Sequence, residues 1–430
     1  MKKRTFTVFF ICALALVSCA GNPPAGDKTS EMSTTDEKTK TVETAEKPLA
    51  TEAELGIAHP MRFADDIKIY NAKDRLTEKA YEVPTKLDEN HFLIVGEILA
   101  KDKLSAIVME AKDPDAWPET PMDMVAIGYY DLEKGTFVLV RDVNEAPYPS
   151  LDEIGSMHLH ALDEERLVFD VYHADTIEYF IYTMADGSLE ELVRFPHTED
   201  DWFAGIPYVT REHLYIPEPM EGGRVRTHIY DRKTLEEIKT SEAGEELKLY
   251  RGEEVYRKGG ASGEDTWTDE LWIGDDGFKW ESTKEEWLLG FGVTADPEAV
   301  YMLSQSLRSN ELEEDVTEDD RIHQMVYAPY HVVREMPADK IIAQMRGDYL
   351  DMSVGDRWIG FWKASYSEEK VEKNAYIYMP AEKIALRIDF PRPCSTLMLS
   401  TTEPYAVLYG DRDDEAGKFI IYTYEPRAEK

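Results

Sequence analysis

Short apolar runs separated by polar, turn-forming residues dominate residues 91–142. The runs are His91–Ile98, Leu104–Glu110, Met124–Asp131 and Thr136–Asp142. Each has the length of a strand, and the last two are joined by the glycine-containing stretch Leu132–Gly135. This pattern predicts one four-stranded antiparallel sheet.

The third and fourth runs are apolar on both faces. Val125–Tyr130 and Phe137–Val140 lack the alternation of apolar and polar residues that a sheet with one wet face shows. A sheet covered on both sides is typical of a propeller blade, which lies between two neighbouring blades.

The same arrangement recurs along the chain. An apolar run with an aromatic residue near its end precedes a polar turn at Ile127–Asp131, Phe180–Tyr182, His228–Asp231, Leu271–Gly274, Met325–Tyr327, Ile377–Met379 and Ile420–Tyr422. The spacing is roughly 45 to 55 residues, which is the range of propeller blades. An apolar residue followed by proline often closes the next strand, as in Phe195-Pro196, Met336-Pro337 and Phe390-Pro391.

We therefore predict an all-β fold, a β-propeller with seven blades. The predicted blades are 91–142, 157–195, 203–240, 247–281, 288–336, 349–388 and 396–424. In the fifth, Ile322–Tyr327 is the predicted third strand and His331–Met336 the fourth. The last blade has three strands of its own, so Ile67–Tyr70 or Lys79–Pro84 would supply its outer strand and close the ring. Because this N-terminal stretch holds two candidate strands, six or eight blades stay open.

Three segments are predicted in chain order: a signal peptide (1–19), a flexible polar tether (20–62) and the propeller (63–430). Lys2-Lys3-Arg4 and the apolar run Phe6–Val17 form the charged and apolar parts of an export signal. The tether holds few large apolar residues and cannot bury enough surface to offset its ordering entropy.

The signal ends in Leu16-Val17-Ser18-Cys19, which resembles the lipobox of bacterial lipoproteins. The resemblance implies cleavage before Cys19, lipidation of Cys19 by acyl chains such as palmitate, and an extracytoplasmic position on the cell membrane or the outer membrane. An ordinary secretory signal with a chance cysteine is the alternative. The folded part resembles, in architecture, the broad TolB-like, kelch-like and quinoprotein-like propellers of exported lipoproteins.

The charge balance limits the partners. The chain has 48 basic and 86 acidic side chains, and cleavage before Cys19 would remove three basic ones and leave a net charge of −41. Nucleic acid and direct contact with anionic head groups are therefore excluded as expected partners, and a monomer is expected. Of the three cysteines, only Cys394 would remain unmodified, so no internal disulfide is predicted, and Cys394 is expected to be a small core residue.

Few residues suggest specific chemistry. His158 and His160 flank Leu159 on the predicted innermost strand of blade two and would share one face. Paired imidazoles can bind a transition metal, but no third ligand lies at a local spacing, so two ordinary inner-strand histidines are expected and no metal or cofactor is predicted. The acidic runs Glu311–Asp320 and Asp411–Glu415 are expected to be solvated hairpin tips, because they lack the pattern of a calcium loop.

The motifs of serine hydrolases, phosphate loops and zinc proteases are absent from the sequence, so no catalytic residue is assigned. Most tryptophans fall in or beside strands and are expected to fill the layers between blades, whereas Trp202 could stack on a sugar or peptide. The first interpretation is a lipid-anchored scaffold that binds a protein or glycan of the cell envelope through a ring face, without enzymatic activity. The alternatives are a hydrolase or lyase acting on carbohydrate or peptide with carboxylates in the central funnel, and an assembly factor for envelope proteins.

Overall fold

The computed structural model describes most of the predicted propeller. The described residues are 61–112, 122–142, 154–173, 175–196, 206–221, 224–261, 267–274, 277–283, 286–306, 330–346, 349–366, 371–388, 394–410 and 417–427. The predicted signal peptide and the tether up to residue 60 lie outside them. Within these ranges, no helix combines the length and apolar character needed to cross a membrane.

The described chain begins with an N-terminal segment of three strands and one short helix. They are β1 (Arg62–Phe63), β2 (Lys68–Asn71), α1 (Ala72–Arg75) and β3 (Leu76–Pro84). The helix begins where the Asn71 side chain accepts a hydrogen bond from Lys73 N at 2.9 Å. It ends at once because Leu76 is already extended.

Seven sheets follow in chain order, and within each blade consecutive strands pair antiparallel. Blade one is β4 (His91–Ala100), β5 (Lys103–Ala111), β6 (Met122–Asp131) and β7 (Thr136–Asp142). Blade two is β8 (Ile154–Ala161), β9 (Arg166–His173), β10 (Thr176–Thr183) and β11 (Leu189–Pro196). Blade three is β12 (Tyr208–Val209), β13 (His213–Met220), β14 (Arg224–Asp231) and β15 (Glu237–Ser241). Blade four is β16 (Glu245–Tyr250), β17 (Glu253–Ala261), β18 (Trp267–Ile273) and β19 (Phe278–Glu281).

The remaining three blades complete the ring. Blade five is β20 (Glu286–Ala295), β21 (Glu298–Ser306), β22 (Tyr330–Met336) and β23 (Lys340–Arg346). Blade six is β24 (Tyr349–Val354), β25 (Ile359–Tyr366), β26 (Val371–Met379) and β27 (Ile384–Ile388). Blade seven is β28 (Cys394–Leu399), β29 (Ala406–Gly410) and β30 (Lys418–Pro426), with β3 as its fourth strand. The predicted seven-bladed β-propeller is confirmed.

The predicted order of strands is wrong in blade five. His331–Met336 lies in the third strand, and the fourth is β23, which the prediction missed. The marker at Met325–Tyr327, taken as the third strand, lies outside the described residues. In the other six blades the aromatic marker lies on the third strand, as the repeat predicts.

The N-terminal segment closes the ring and pairs with the outer strands of more blades than predicted. β3 pairs antiparallel with β30 from Leu76 opposite Pro426 to Pro84 opposite Lys418. The stretch at Ile69–Tyr70 does not add a second strand to the last blade or form an eighth. Instead, β2 pairs in parallel with β27 of blade six, and β1 pairs with β23 of blade five. One segment therefore adds an outer strand to three successive blades, which protects three edges.

A buried polar contact fixes this closure. Asp102, in the turn between the first two strands of blade one, accepts hydrogen bonds from the Tyr81 hydroxyl of β3 at 3.1 Å and from the Tyr405 hydroxyl of blade seven at 2.9 Å. Asp102 N donates to the Tyr405 hydroxyl at 3.2 Å. The first blade, the last blade and the N-terminal strand thus meet at one carboxylate.

The core lies between blades rather than at one centre. The described residues form seven apolar clusters, one at each junction between neighbouring blades. Between blades one and two, for example, Ile127 and Tyr129 pack with Leu159 and Phe169. Middle strands are buried on both faces, whereas the outer strand β15 is mostly exposed. This two-sided burial explains why the apolar runs do not alternate.

Candidate functional site

Two histidines and an aspartate meet on one face of blade two. His158 and His160 lie on β8, the first strand of the blade and therefore the one nearest the ring axis, and Asp170 lies opposite His158 on β9. Leu159 points to the other face, where it packs against blade one. The alternation of a strand thus separates the polar side chains from the apolar ones.

The Asp170 carboxylate bridges the two imidazoles. One oxygen, Oδ2, lies 2.9 Å from His158 Nδ1, and the other, Oδ1, lies 2.8 Å from His160 Nε2. One possible metal-ligating atom from each of the three side chains lies within 4.8 Å of the others.

A second carboxylate comes from the neighbouring blade. Glu97 lies on β4 of blade one, where the pairing with β5 is irregular between Val95 and Ile98. Its Oε2 lies 3.1 Å from His160 Nδ1. His160 therefore contacts a carboxylate at each ring nitrogen, one from its own blade and one from the blade before it. We call His158, His160, Asp170 and Glu97 the rim cluster.

Charge and burial oppose each other in the rim cluster. Burial disfavours a proton on His160, but the Glu97 charge and the hydrogen bonds to Asp170 and Glu97 outweigh it and raise the pKa of His160 to about 10. Burial disfavours charge on Asp170 as well, but the nearby His158 and its hydrogen bonds lower the pKa of Asp170 to about 2. The cluster thus stabilises the protonated, positively charged form of His160 between the carboxylates of Asp170 and Glu97.

The rim cluster is open on one side. The side chains of Asp170 and His160 are 0% and 5% exposed, whereas those of His158 and Glu97 are 36% and 49% exposed. Tyr172 packs edge-on against the His158 ring, with centroids 5.7 Å apart. Two buried groups are therefore fixed by hydrogen bonds, and two partly exposed groups can meet a ligand.

The structure places both histidines on the predicted innermost strand. Sequence reasoning missed Asp170 because its partners are not neighbours in sequence. A usable signal was present, since His158 and Asp170 are equally far from the hairpin turn at 163–165 and so fall opposite each other. Nothing in the local sequence indicates Glu97, which comes from a different blade.

Other sequence candidates do not form a site in the described part of the chain. The acidic runs 311–320 and 411–415 and Trp202 lie outside it. Cys394 begins β28, and its side chain is not described. Trp272 stacks on Tyr256 at 6.3 Å and donates to Glu270 at 2.7 Å, which is a packing role.

One end of the central channel is crossed by an ion pair. The turns between first and second strands all lie at this end, and Arg211 of blade three contacts Asp356 of blade six there. Blades three and six lie on opposite sides of the seven-bladed propeller, so the Arg211–Asp356 ion pair reaches across its central axis. Burial raises the pKa of Asp356, and the Arg211 charge opposes this rise. Asp356 Oδ2 takes part in this ion pair, whereas Asp356 Oδ1 is buried and has no hydrogen-bond partner among the described residues.

A buried lysine lies on the inner strand of blade four. Lys248 Nζ donates to Phe291 O at 3.2 Å and lies over the rings of Tyr208 and Phe291 at 4.6 and 4.4 Å. Burial lowers the pKa of Lys248. Because the aromatic rings of blades three and five enclose the amine, we assign it to packing between the three blades.

Comparisons with known proteins do not assign this chain to a family. No protein-family model matches the chain, and no curated protein matches it. The β-propeller domain of the Trilobed protease from Pyrococcus furiosus is 11% identical, with a TM-score of 0.45 over 76% of this chain and 93% of that one. TolB from Acinetobacter baumannii is 11% identical, with a TM-score of 0.33, and the match spans 81% of this chain and 64% of TolB. An oligogalacturonate lyase from Vibrio parahaemolyticus is 10% identical, with a TM-score of 0.42 over 82% of this chain and 97% of that one.

Proposed function

We propose that this protein is a lipid-anchored, extracytoplasmic scaffold that binds a protein or glycan of the cell envelope at the rim cluster. The lipobox at Leu16–Cys19 supports the anchor and the location. The observation that supports the binding site is the pairing of the partly exposed His158 and Glu97 with the buried Asp170 and His160. Burying charged groups costs free energy. Contact with a ligand would be a functional reason for the charged groups of the rim cluster to be buried there.

The test is ligand binding by the full-length chain purified in detergent. Wild-type protein and the variant His158→Ala are applied to a glycan array and to labelled envelope proteins from the source cells. We expect wild-type binding to at least one component and a loss of at least tenfold for His158→Ala.

The matched control is His91→Ala. His91 is also partly exposed and also paired with an aspartate, Asp88, at 2.7 Å, but this pair lies apart from the rim cluster. The His91→Ala variant should therefore bind the same array components as wild type, with unchanged affinity. Equal binding by wild type and His158→Ala would refute the assignment of the site.

An extracytoplasmic hydrolase or lyase acting on carbohydrate or peptide is the second candidate. The contact of His158 Nδ1 with buried Asp170 favours it, because a carboxylate that orients one ring nitrogen leaves the other in place as a general base. In the same assays, turnover of a bound glycan or peptide that His158→Gln abolishes without loss of binding would establish the enzyme. Binding without turnover would leave the scaffold.

A further inference from the structure

We propose that His158, His160 and Asp170 are the ligands of a divalent transition-metal ion, with Glu97 orienting His160 from outside the coordination shell. This inference rests on the proposed function, since it gives the rim cluster the means by which it would bind its ligand.

The donor set suits such an ion. Two imidazole nitrogens and one carboxylate are the ligands that zinc and related first-row metals use when one coordination position stays free for water or a ligand. Alkaline-earth ions prefer shells made wholly of oxygen, so two nitrogens argue against calcium and magnesium.

The geometry brings the correct atoms together. His158 Nδ1 and His160 Nε2 both face the Asp170 carboxylate, at 2.9 and 2.8 Å, and the three donors lie within 4.8 Å of one another. Bonds of about 2.0–2.1 Å would place zinc ligands roughly 3.3 Å apart, so small side-chain rotations complete the shell.

Glu97 supplies the outer contact that metal-bound histidines generally have. It lies 3.1 Å from His160 Nδ1, the ring nitrogen that faces away from Asp170. A carboxylate there holds the proton on Nδ1, so an ion that displaces the proton from Nε2 would bind the tautomer that remains. The contact crosses from blade one to blade two, so it also links metal binding to the packing of two blades.

A second histidine in the chain shows what this arrangement adds. His228 also contacts two carboxylates, Glu237 at Nδ1 and Glu218 at Nε2, each at 3.0 Å. Those carboxylates lie at opposite ring nitrogens, and no second imidazole joins them in a possible metal-binding group among the described residues. In the rim cluster two rings converge on one carboxylate.

Partial exposure leaves room for a fourth ligand. His158 is 36% exposed at its side chain, whereas Asp170 is fully buried. An ion held at this depth would have one side open to solvent or to an oxygen of the bound molecule.

The experiment measures zinc binding to the full-length chain in detergent. The protein is stripped with a chelator, dialysed against zinc chloride at neutral pH and assayed for bound metal, with affinity measured by competition against a chromophoric chelator. We expect one tightly bound zinc per chain and no comparable binding of calcium or magnesium.

Variants identify the ligands. His158→Ala should weaken zinc binding at least 100-fold, and His158→Cys, which keeps a metal-binding side chain, should recover part of it. Glu97→Gln should weaken binding by about 10- to 100-fold without abolishing it, as expected for an outer contact. His91→Ala is the control and should bind like wild type. The circular dichroism spectrum of each variant reports whether the propeller still folds.

Two outcomes would overturn the metal site: no tight zinc in the wild-type protein, or zinc binding unchanged in His158→Ala. If either outcome is found and ligand binding on the array still depends on His158, the proposed function stands and the metal inference alone is wrong. If zinc binds as expected and the array shows no dependence on His158, the proposed function is wrong and the metal site stands.

Discussion

At the residue scale, His331 shows how burial acts on a single titratable group. Its side chain is buried on β22, and its Nδ1 has no hydrogen-bond partner among the described residues. Burial lowers the pKa of His331 to about 4. The unfolded chain therefore takes up a proton near pH 6.5 that the folded chain does not take up until about pH 4.

We expect this difference to lower the free energy of unfolding as the pH falls from 6.5 towards 4. The loss should reach roughly 2 kcal/mol at pH 5, since each pKa unit corresponds to about 1.4 kcal/mol. Urea unfolding of wild type and His331→Leu at pH 7.5 and pH 5 checks this, because other groups contribute to both proteins alike. A wild-type loss on acidification no larger than that of the variant would contradict the assignment.

Residues of the rim cluster were predictable only in part. The period of two along a strand is enough to put His158 and His160 on one face. Asp170 follows from the hairpin register once the turn is placed, and the turn is visible as Asp163–Glu165. Glu97 depends on how two blades pack and on an irregular stretch of β4, and neither is encoded in a short sequence window.

At the element scale, two glycines of β20 distinguish the effect of adding a side chain to a strand from the effect of crowding a neighbouring blade. A Cβ added to Gly292 would lie 2.4 Å from Val354 of blade six, whereas one added to Gly290 would have nothing within 4 Å. Blades five and six thus approach each other closely at Gly292, and a larger side chain there would push them apart.

We expect Gly292→Ala to lower the free energy of unfolding by roughly 1–3 kcal/mol, the usual cost of overpacking. The control, Gly290→Ala, lies on the same strand and should change stability little or raise it. Chemical unfolding of both variants tests this. Equal stability of the two would mean that the close approach of the blades at Gly292 is absent.

Most strands were predictable because blades repeat. Strands buried on both sides give apolar runs, and polar turns separate them, as at Leu132–Gly135. In blade five the aromatic marker at Met325–Tyr327 comes before β22. The third strand was therefore placed too early in the chain, and β23 was missed. The parallel pairing of β2 with blade six was not predictable, because an edge strand has the same composition wherever it attaches.

At the scale of the whole molecule, β3 closes the ring by pairing with β30 of the last blade. Thr85 N donates to Gly417 O at 2.9 Å, and pairs alternate along an antiparallel ladder, so Glu82 and Ile420 form a non-hydrogen-bonded pair. Such pairs bring Cα atoms to about 4.5 Å, within the range of a disulfide.

We expect the double variant Glu82→Cys, Ile420→Cys to form a disulfide under oxidising conditions and to raise the free energy of unfolding by about 2–4 kcal/mol, because it closes a long loop in the unfolded chain. Non-reducing electrophoresis and peptide mass spectrometry detect the bond. The two single variants are the controls. Failure of the pair to cross-link would place the two strands apart and contradict the closure.

The predicted anchor acts on the molecule as a whole. We expect Cys19→Ser to move the protein from the membrane fraction to the soluble fraction, because acyl chains on Cys19 would be the attachment. Fractionation of cells expressing wild type and variant measures this, and Cys394→Ser is the control. Retention of the Cys19 variant in the membrane would contradict lipidation as the sole anchor.

Diffraction at the zinc absorption edge tests the central claim most directly, which is that three side chains of blade two bind one ion while Glu97 of blade one orients His160. Crystals of the full-length chain grown with zinc should give an anomalous peak between His158 Nδ1, His160 Nε2 and the Asp170 carboxylate, with Glu97 on the far nitrogen of His160. Peaks at surface carboxylates alone, with His158 and His160 still hydrogen-bonded to Asp170, would contradict the account.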